Sequence, residues 1–82
     1  MAKNPDAEKV AHIRQWVANR AKELRKRAGF TQTQVARKMN IGCHRVSDFE
    51  RNENDFKATT IFRYCSAVGI SVEKFFEGCP DV

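Results

Sequence analysis

The sequence contains no long apolar run, and no stretch of it approaches the roughly 18 apolar residues that a membrane-spanning helix requires. It has only three cysteines, Cys43, Cys65 and Cys79, and none of them shows Cys-x-x-Cys spacing. An odd number of cysteines without that spacing argues against a disulfide scaffold and indicates a reducing compartment. The polar N-terminus carries no secretory signal. We therefore expect a cytoplasmic protein that does not enter a membrane.

The sequence also lacks the motifs that enzymes and metal centres use. It has only four glycines and no glycine-rich phosphate loop, and no pair of carboxylates stands in a catalytic motif. Cys43 and His44 are neighbours, but adjacent residues on a helix do not easily share one tetrahedral metal, and no second pair has ligand spacing. A chain of 82 residues also offers little room for a substrate pocket. We therefore predict no enzymatic activity, no metal or other cofactor, and no small-molecule ligand.

Acidic residues are scarce in the first half of the chain. Residues 9–51 carry 3 Asp and Glu against 11 Lys and Arg, whereas residues 52–82 carry 5 acidic and 3 basic residues. A basic half of this kind suits a polyanionic partner such as nucleic acid. The plainer alternative is that the most basic stretch, residues 20–27, is the solvated face of a helix.

Strand patterns are absent as well, because apolar residues recur every three or four positions and no segment alternates with a period of two. The pattern predicts an all-α protein of five helices. The first helix runs from Pro5 to about Ala28, and Gly29 ends it. The fourth runs over about 58–68 and the fifth over about 72–77. The inward face of the fourth helix is expected to carry Ile61, Phe62, Cys65 and Val68. No linker or low-complexity tract divides residues 1–82, so we expect a single domain.

The second and third helices lie in the stretch TQTQVARKMNIGCHRVSDFER, which begins at Thr31. Thr31 is a good N-cap with Gln34 three residues later, as in a capping box. The second helix is expected over about 32–39, and Asn40-Ile41-Gly42 then forms a tight turn before a third helix that starts near Cys43. Two short helices joined by a turn that contains glycine describe the helix-turn-helix motif. In that motif the second of the two helices lies in the major groove of DNA.

Three segments, LRKRAGFTQTQVA, MNIGCHRVSDFER and FRYCSAVGISVEKFF, follow one another in the order found in a known family. Together they make the stretch from Val17 to Phe76 resemble the lambda-repressor/Cro (XRE-type) helix-turn-helix family, over about three quarters of the chain. The resemblance implies a compact five-helix domain with a core over about 17–76. The family's first helix needs only the part from Val17 onward, so residues 5–16 form an extension. That extension either packs within the monomer, packs on a second subunit, or simply continues the helix.

The resemblance also implies roles for several charged and polar residues. Arg25 and Glu50 occupy positions that pair in the family, and we interpret them as a structural ion pair between the first and third helices. Gln32, at the start of the second helix, is expected to contact a DNA phosphate, with a solvent-exposed capping neighbour as the alternative. Arg37 and Lys57 are the further candidates for phosphate binding.

Base-reading residues are expected on the outer face of the third helix. The alignment puts Cys43 and His44 at the first two reading positions and Asp48 about one turn further along. Arg45 can make a bidentate contact to guanine, and Ser47 completes the set. Asp48 either accepts from cytosine or orients a neighbouring arginine. Exposed surface without a DNA role is the alternative for each residue taken singly.

The family context implies a homodimeric, sequence-specific transcriptional regulator that binds an inverted-repeat operator in double-stranded DNA. For the dimer contact we predict Val72 and Phe75, with the N-terminal extension as the second choice. A phage repressor, a restriction-modification controller and an antitoxin all fit a domain of this size. The alternative from another class is an antitoxin or adaptor whose main role is to bind a protein partner.

Overall fold

The protein is described by a computed structural model over residues 5–53 and 56–80. Within these ranges the chain forms five helices and no strand, which confirms the all-α prediction. None of the helices in this part of the chain is long and apolar enough to cross a membrane. The helices are α1 (Pro5–Arg27), α2 (Gln32–Met39), α3 (Cys43–Glu50), α4 (Ala58–Val68) and α5 (Val72–Phe75).

Local hydrogen bonds set the boundaries of α2. The Thr31 hydroxyl accepts from the backbone N–H of Gln34 at 3.1 Å, and the Gln34 side chain accepts from the backbone N–H of Thr31 at 2.8 Å. Asn40 ends the helix in a left-handed conformation with φ 57°, which Asn tolerates better than most residues. The chain then turns through Ile41 and Gly42 into α3. The capping box and the tight turn predicted from the sequence are both confirmed.

All five helices contribute to one apolar core. Phe49 of α3 is central to it, because its ring meets Phe56 at a centroid distance of 4.7 Å and Tyr64 at 5.2 Å. Tyr64 and Phe75 are the largest side chains that are fully buried. Packing of this kind gives a small domain most of its stability, because each buried apolar side chain contributes about 1.5–3 kcal/mol. The other core residues are Val17, Ala21, Leu24, Val35, Ala36, Met39, Val46, Cys65, Ala67 and Val68.

The middle of α1 packs against α5 and donates hydrogen bonds to it. The Trp16 ring packs edge-on against Phe75 at 6.3 Å and stacks on Phe76 at 6.2 Å. The Arg20 guanidinium donates to the backbone carbonyls of Phe75 and Lys74, each at 3.0 Å. The part of the extension next to Val17 therefore packs within the monomer, while residues 6–12 at the start of α1 are all exposed.

Two expectations about aromatic residues were wrong. Phe75 was predicted at the dimer contact, but it is 0% exposed, because it fills the space between α1 and α4 inside the protomer. Phe62 was predicted on the inward face of α4, but it is 55% exposed. In both places two apolar residues are adjacent in the sequence, Ile61-Phe62 and Phe75-Phe76. The angle at which the helices pack decides which member of each pair is more deeply buried. Val72, the other predicted dimer residue, is half-buried.

Candidate nucleic-acid interface

A buried ion pair holds α3 against α1. The Arg25 Nε donates to Glu50 Oε2 at 2.8 Å, and its Nη2 donates to Oε1 at 3.0 Å. The side chains are only 9% and 2% exposed. The third guanidinium nitrogen, Nη1, donates to the carbonyl of Phe30 at 2.9 Å, so it also ties the loop between α1 and α2. The predicted structural pair is therefore present, and Arg25 is not available to DNA.

Two further side chains complete the environment of Glu50. The Tyr64 hydroxyl donates to Oε2 at 2.7 Å, and the Gln32 amide donates to Oε1 at 3.2 Å. Burial raises the pKa of Glu50, but the hydrogen bonds from Arg25, Tyr64 and Gln32 outweigh it, so the pKa lies below the ordinary value. Burial also raises the pKa of Tyr64, as does its hydrogen bond to Glu50. The carboxylate therefore stays ionised at neutral pH, and the phenol keeps its proton to donate.

Tyr64 was not among the residues that the sequence pattern singled out. Its position next to Cys65 and one turn after Ile61 is a signal for burial, because those neighbours lie on the inward face of α4. Gln32 was expected to contact a phosphate, and the structure places its half-buried amide on Glu50 instead of in solvent. A side-chain amide has two N–H donors, so one remains for a phosphate.

The first turn of α3 projects three exposed side chains, Cys43, His44 and Arg45. The Cys43 Sγ lies 3.5 Å from the hydroxyl of Thr33, at the point where α2 and α3 meet. Gly42 is the N-cap and supplies no side-chain hydrogen bond to the helix. These three side chains surround the N-terminal end of α3, which is the end whose residues meet base edges in this motif.

The other two predicted base readers are less accessible. Ser47 and Asp48 are both half-buried. The Asp48 carboxylate accepts a hydrogen bond from Arg51 at 3.3 Å, and Arg51 lies 3.6 Å from Glu53 as well. Of the two roles predicted for Asp48, the geometry matches the orientation of a neighbouring arginine.

Further basic side chains lie on α2 and α4. Arg37 is exposed in the last turn of α2, and Lys57 is the exposed N-cap of α4. Arg63, which the sequence reasoning missed, donates from its guanidinium to the carbonyl of Met39 and so bridges α4 to the end of α2. An open groove of about 420 Å³ between α3 and α4 is lined by Arg45, Lys57 and Arg63 over an apolar floor. Within the described residues no group of His, Cys, Asp and Glu is arranged to hold a metal.

The short helix α2, the tight turn and the exposed first turn of α3 define a helix-turn-helix protein of the DNA-binding class. The chain belongs to the helix-turn-helix family of the XRE type, because the model of that family matches residues 22–75. The resemblance seen in the sequence is thereby confirmed, and transcription regulation through DNA is the activity of the family.

Two relatives show how this domain is used elsewhere. The HTH-type transcriptional regulator ImmR of Bacillus subtilis is 33% identical over 57 residues, which cover 70% of this chain and 45% of ImmR. The antitoxin HipB of Escherichia coli K12 is 32% identical over 56 residues, which cover 68% of this chain and 64% of HipB. The chain therefore spans about half to two thirds of the length of these relatives.

A solved structure with the same fold is the restriction-modification controller protein C.Esp1396I. It superposes with a TM-score of 0.73 at 26% sequence identity, over 79% of this chain and 84% of the controller. A further crystal structure shows a tetramer of that controller in complex with its natural 35 base-pair operator. The five-helix fold predicted for this chain is therefore the fold of a known DNA-binding regulator.

Proposed function

We propose that this protein is a sequence-specific, homodimeric transcriptional regulator that represses by binding an inverted-repeat operator. The observation that carries the proposal is the exposed first turn of α3, which Cys43, His44 and Arg45 occupy while the Arg25–Glu50 pair anchors the other end of the helix. A reading helix must be held rigidly, because its side chains have to meet base edges in one register. The buried pair supplies that rigidity.

Binding would proceed in two physical stages. Lys and Arg side chains attract the phosphate backbone and release its counterions, with Gln32, Arg37 and Lys57 as the contacts that set the register. The first turn of α3 then reads base edges, with Arg45 suited to guanine. Ser47 and Asp48 act further along the helix, at the rim of the reading surface. A small repressor of its own operon, acting in the cytoplasm, is the biological role that we favour.

A twofold dimer would present two copies of α3 about 34 Å apart, one helical turn of DNA. The operator-bound tetramer of the controller C.Esp1396I supports assembly on DNA by a domain with this fold. Val72 remains the proposed dimer residue on α5. Phe75 is buried, so it packs α5 against the rest of the domain and does not contact a second subunit.

The test is selection of bound sequences from a random duplex pool. Wild type is expected to enrich a site with twofold symmetry, and the double variant His44→Ala with Arg45→Ala is expected to lose or relax it. Lys22→Ala is the matched control, because it also removes one exposed positive charge but lies on α1, outside both the first turn of α3 and the proposed dimer contact on α5. It should weaken binding slightly and leave the selected sequence unchanged.

If the protein binds the duplex pool in a salt-dependent way but enriches no sequence, the proposal is rejected. An enriched site without symmetry would retain sequence reading and reject the dimer. If the double variant selects the same site as wild type, the first turn of α3 does not read the bases.

A second function, the binding of a protein partner as an antitoxin or adaptor, is favoured by the similarity to HipB over 56 residues. The exposed start of α1, residues 6–12, is the part of the chain where such a partner would dock. Removal of residues 1–12 spares the half-buried Ile13 and Arg14. Loss of binding to a protein from the same operon, with DNA binding intact, would favour this function.

A further inference from the structure

The imidazole of His44 occupies the space that a side chain at residue 42 would need. The backbone of Gly42, with φ −72° and ψ 146°, is extended, so any residue could adopt it. What requires a glycine here is the lack of room for a Cβ atom. A Cβ built on Gly42 would lie 2.8 Å from Cε1 and 2.9 Å from Nδ1 of His44. Contacts between carbon atoms are favourable only at about 3.5–4.0 Å, so a side chain at residue 42 and this position of the imidazole exclude each other.

The imidazole of His44 is therefore folded back over the N-cap of α3. Its Nε2 lies 3.9 Å from the same point, further from the cap than Cε1 and Nδ1. His44 is exposed, so its ring is free to adopt another staggered rotamer if the space above Gly42 is filled. A substitution at residue 42 would then move the ring while leaving α3 in place.

We propose that Gly42 is a specificity-determining residue, which acts by positioning the imidazole of His44 over the N-cap of α3 for base reading. The inference rests on the proposed function, because it assigns a cause to the base preference of the reading turn. Histidine has a donor and an acceptor nitrogen when neutral, and guanine offers N7 and O6 as acceptors in the major groove. The rotamer of the ring decides which base edge these nitrogens reach.

A serine at residue 42 separates this role from a structural one. Serine is a preferred N-cap, because its hydroxyl accepts from a backbone N–H of the first turn, which Gly42 cannot do. Gly42→Ser should therefore unfold at the same or a higher urea concentration than wild type. If Gly42 mattered only for the stability of α3, this variant would bind DNA with the wild-type preference. If Gly42 positions His44, the variant changes its preference although it is no less stable.

The first measurement is made on the free protein. In wild type, the proton on Cε1 of His44 should show a nuclear Overhauser effect to the Hα protons of Gly42. In Gly42→Ser the corresponding effect to the α proton of residue 42 should be lost or strongly reduced. Absence of the effect in wild type would overturn the inference without any reference to DNA.

The second measurement is selection from a random duplex pool with five proteins: wild type, Gly42→Ser, Gly42→Ala, His44→Ala, and the double variant Gly42→Ser with His44→Ala. The Gly42 variants should lose about fivefold or more of the preference at the one base position that His44→Ala also relaxes. The double variant should match His44→Ala at that position, because the ring that Gly42 positions is gone. Gly42→Ala lacks a hydroxyl, so agreement between it and Gly42→Ser excludes a direct contact from serine.

The outcomes separate the inference from the proposed function. An enriched site in wild type that both Gly42 variants retain would overturn the inference and leave the regulator intact. A change in the double variant beyond that of His44→Ala would show that Gly42 acts independently of the imidazole, which also overturns it. No enriched site in wild type would reject both.

Discussion

At the scale of single residues, Glu50 connects α3 to three other helices. It lies at the end of α3 and accepts four hydrogen bonds, two from Arg25 on α1, one from Gln32 on α2 and one from Tyr64 on α4. Removal of one partner of a buried pair leaves the other charge uncompensated in a poorly solvated site. Glu50 therefore connects the end of α3 to α1, α2 and α4.

Arg25→Ala should lower the free energy of unfolding by about 3–5 kcal/mol, because Glu50 then loses two charge-assisted hydrogen bonds while it stays buried. That is a large part of the roughly 5–15 kcal/mol that stabilises a typical domain. Urea unfolding followed by circular dichroism measures it.

Arg27→Ala is the matched control, because it removes an arginine from the same helix. Arg27 pairs with Glu23 at 2.8 Å, but the two side chains are 67% and 45% exposed. Its loss should cost no more than about 1 kcal/mol. Equal costs for the two variants would contradict the structural role of Arg25.

Acid should weaken the domain through Glu50. The pKa of this group in the folded state lies below its ordinary value of 4.5, so it contributes stability above that value. The contribution is lost as the pH falls from 4.5 through the folded pKa, where the native carboxylate takes up a proton. We expect the Cδ carbon of Glu50, followed by NMR, to titrate below pH 4.5.

The same effect should appear in unfolding. The urea midpoint of wild type is expected to fall more steeply between about pH 7 and pH 3 than that of Glu50→Gln, which has no titrating carboxyl at this site. A midpoint of titration above the ordinary value would show that burial outweighs the hydrogen bonds, contrary to the prediction.

At the scale of helices, α2 depends on its cap more than on its length. It has only eight residues, and isolated helices shorter than about 12–15 residues are marginal in water. The capping box of Thr31 and Gln34 satisfies two backbone N–H groups that would otherwise have no partner in the helix. Since Gln32 begins this helix and bonds Glu50, the cap also positions α2 relative to α3.

Thr31→Ala should destabilise the domain by about 1 kcal/mol, because it removes the acceptor for the Gln34 N–H. Thr59→Ala is the control, since Thr59 lies exposed in the first turn of α4, where Lys57 is the N-cap. The control should change stability by no more than about 0.5 kcal/mol. Both are read from urea unfolding curves, and a cost for Thr31→Ala no larger than that of the control would show that the cap contributes nothing.

At the scale of the whole molecule, two large apolar side chains of the described residues stay exposed, Val10 at 56% and Phe62 at 55%. They lie on different elements, the exposed start of α1 and the outer face of α4. Val10 belongs to the extension, which is the second choice for the dimer contact, and Phe62 lies on α4, the helix that precedes the predicted dimer residue Val72. The core of a domain this small is limited, so burial of one of these surfaces in a dimer would add to stability.

We expect Phe62→Ser to weaken the proposed homodimer by about tenfold or more, because a twofold interface counts each substitution twice. Val10→Ser should leave the dimer unchanged. Sedimentation equilibrium over a range of protein concentrations measures both. The reverse result would place the dimer contact on the N-terminal extension, and no effect of either variant would exclude both surfaces.

Much of the fold follows from local patterns that the sequence displays. The recurrence of apolar residues every three or four positions gave the buried stripe Val17, Ala21 and Leu24 of α1, although Val10 and Ala28, which continue that pattern, are exposed. The Thr31 cap and the Asn40 turn gave both ends of α2. These features depend on neighbours in the chain, so a periodic pattern or a single cap is enough to predict them. The XRE-type resemblance added the Arg25–Glu50 pair, whose members are 25 residues apart.

The candidate site was predicted less completely. Sequence reasoning selected Cys43, His44 and Arg45, which are all exposed, but it missed Tyr64 and Arg63, which reach the site from α4. No local signal reports that α4 packs against α2 and α3 at the angle that brings these side chains there. Asp48 was predicted either to accept from cytosine or to orient a neighbouring arginine, and its hydrogen bond from Arg51 matches the second role.

The amino-acid sequence alone was sufficient for the ends of α2 and α4, the helix-turn-helix motif and the family, because caps, turns and apolar periodicity act between residues close in the chain. The fifth helix was predicted over about 72–77 but ends at Phe75. Tertiary structure decided which member of each adjacent apolar pair is more deeply buried. Phe75 of the pair Phe75-Phe76 is buried, whereas Phe62 of the pair Ile61-Phe62 is exposed. Tertiary structure also decided that Gln32 bonds Glu50 and that the His44 ring lies over Gly42. These outcomes depend on distances between helices and on rotamers, which the chain adopts only when its helices pack together.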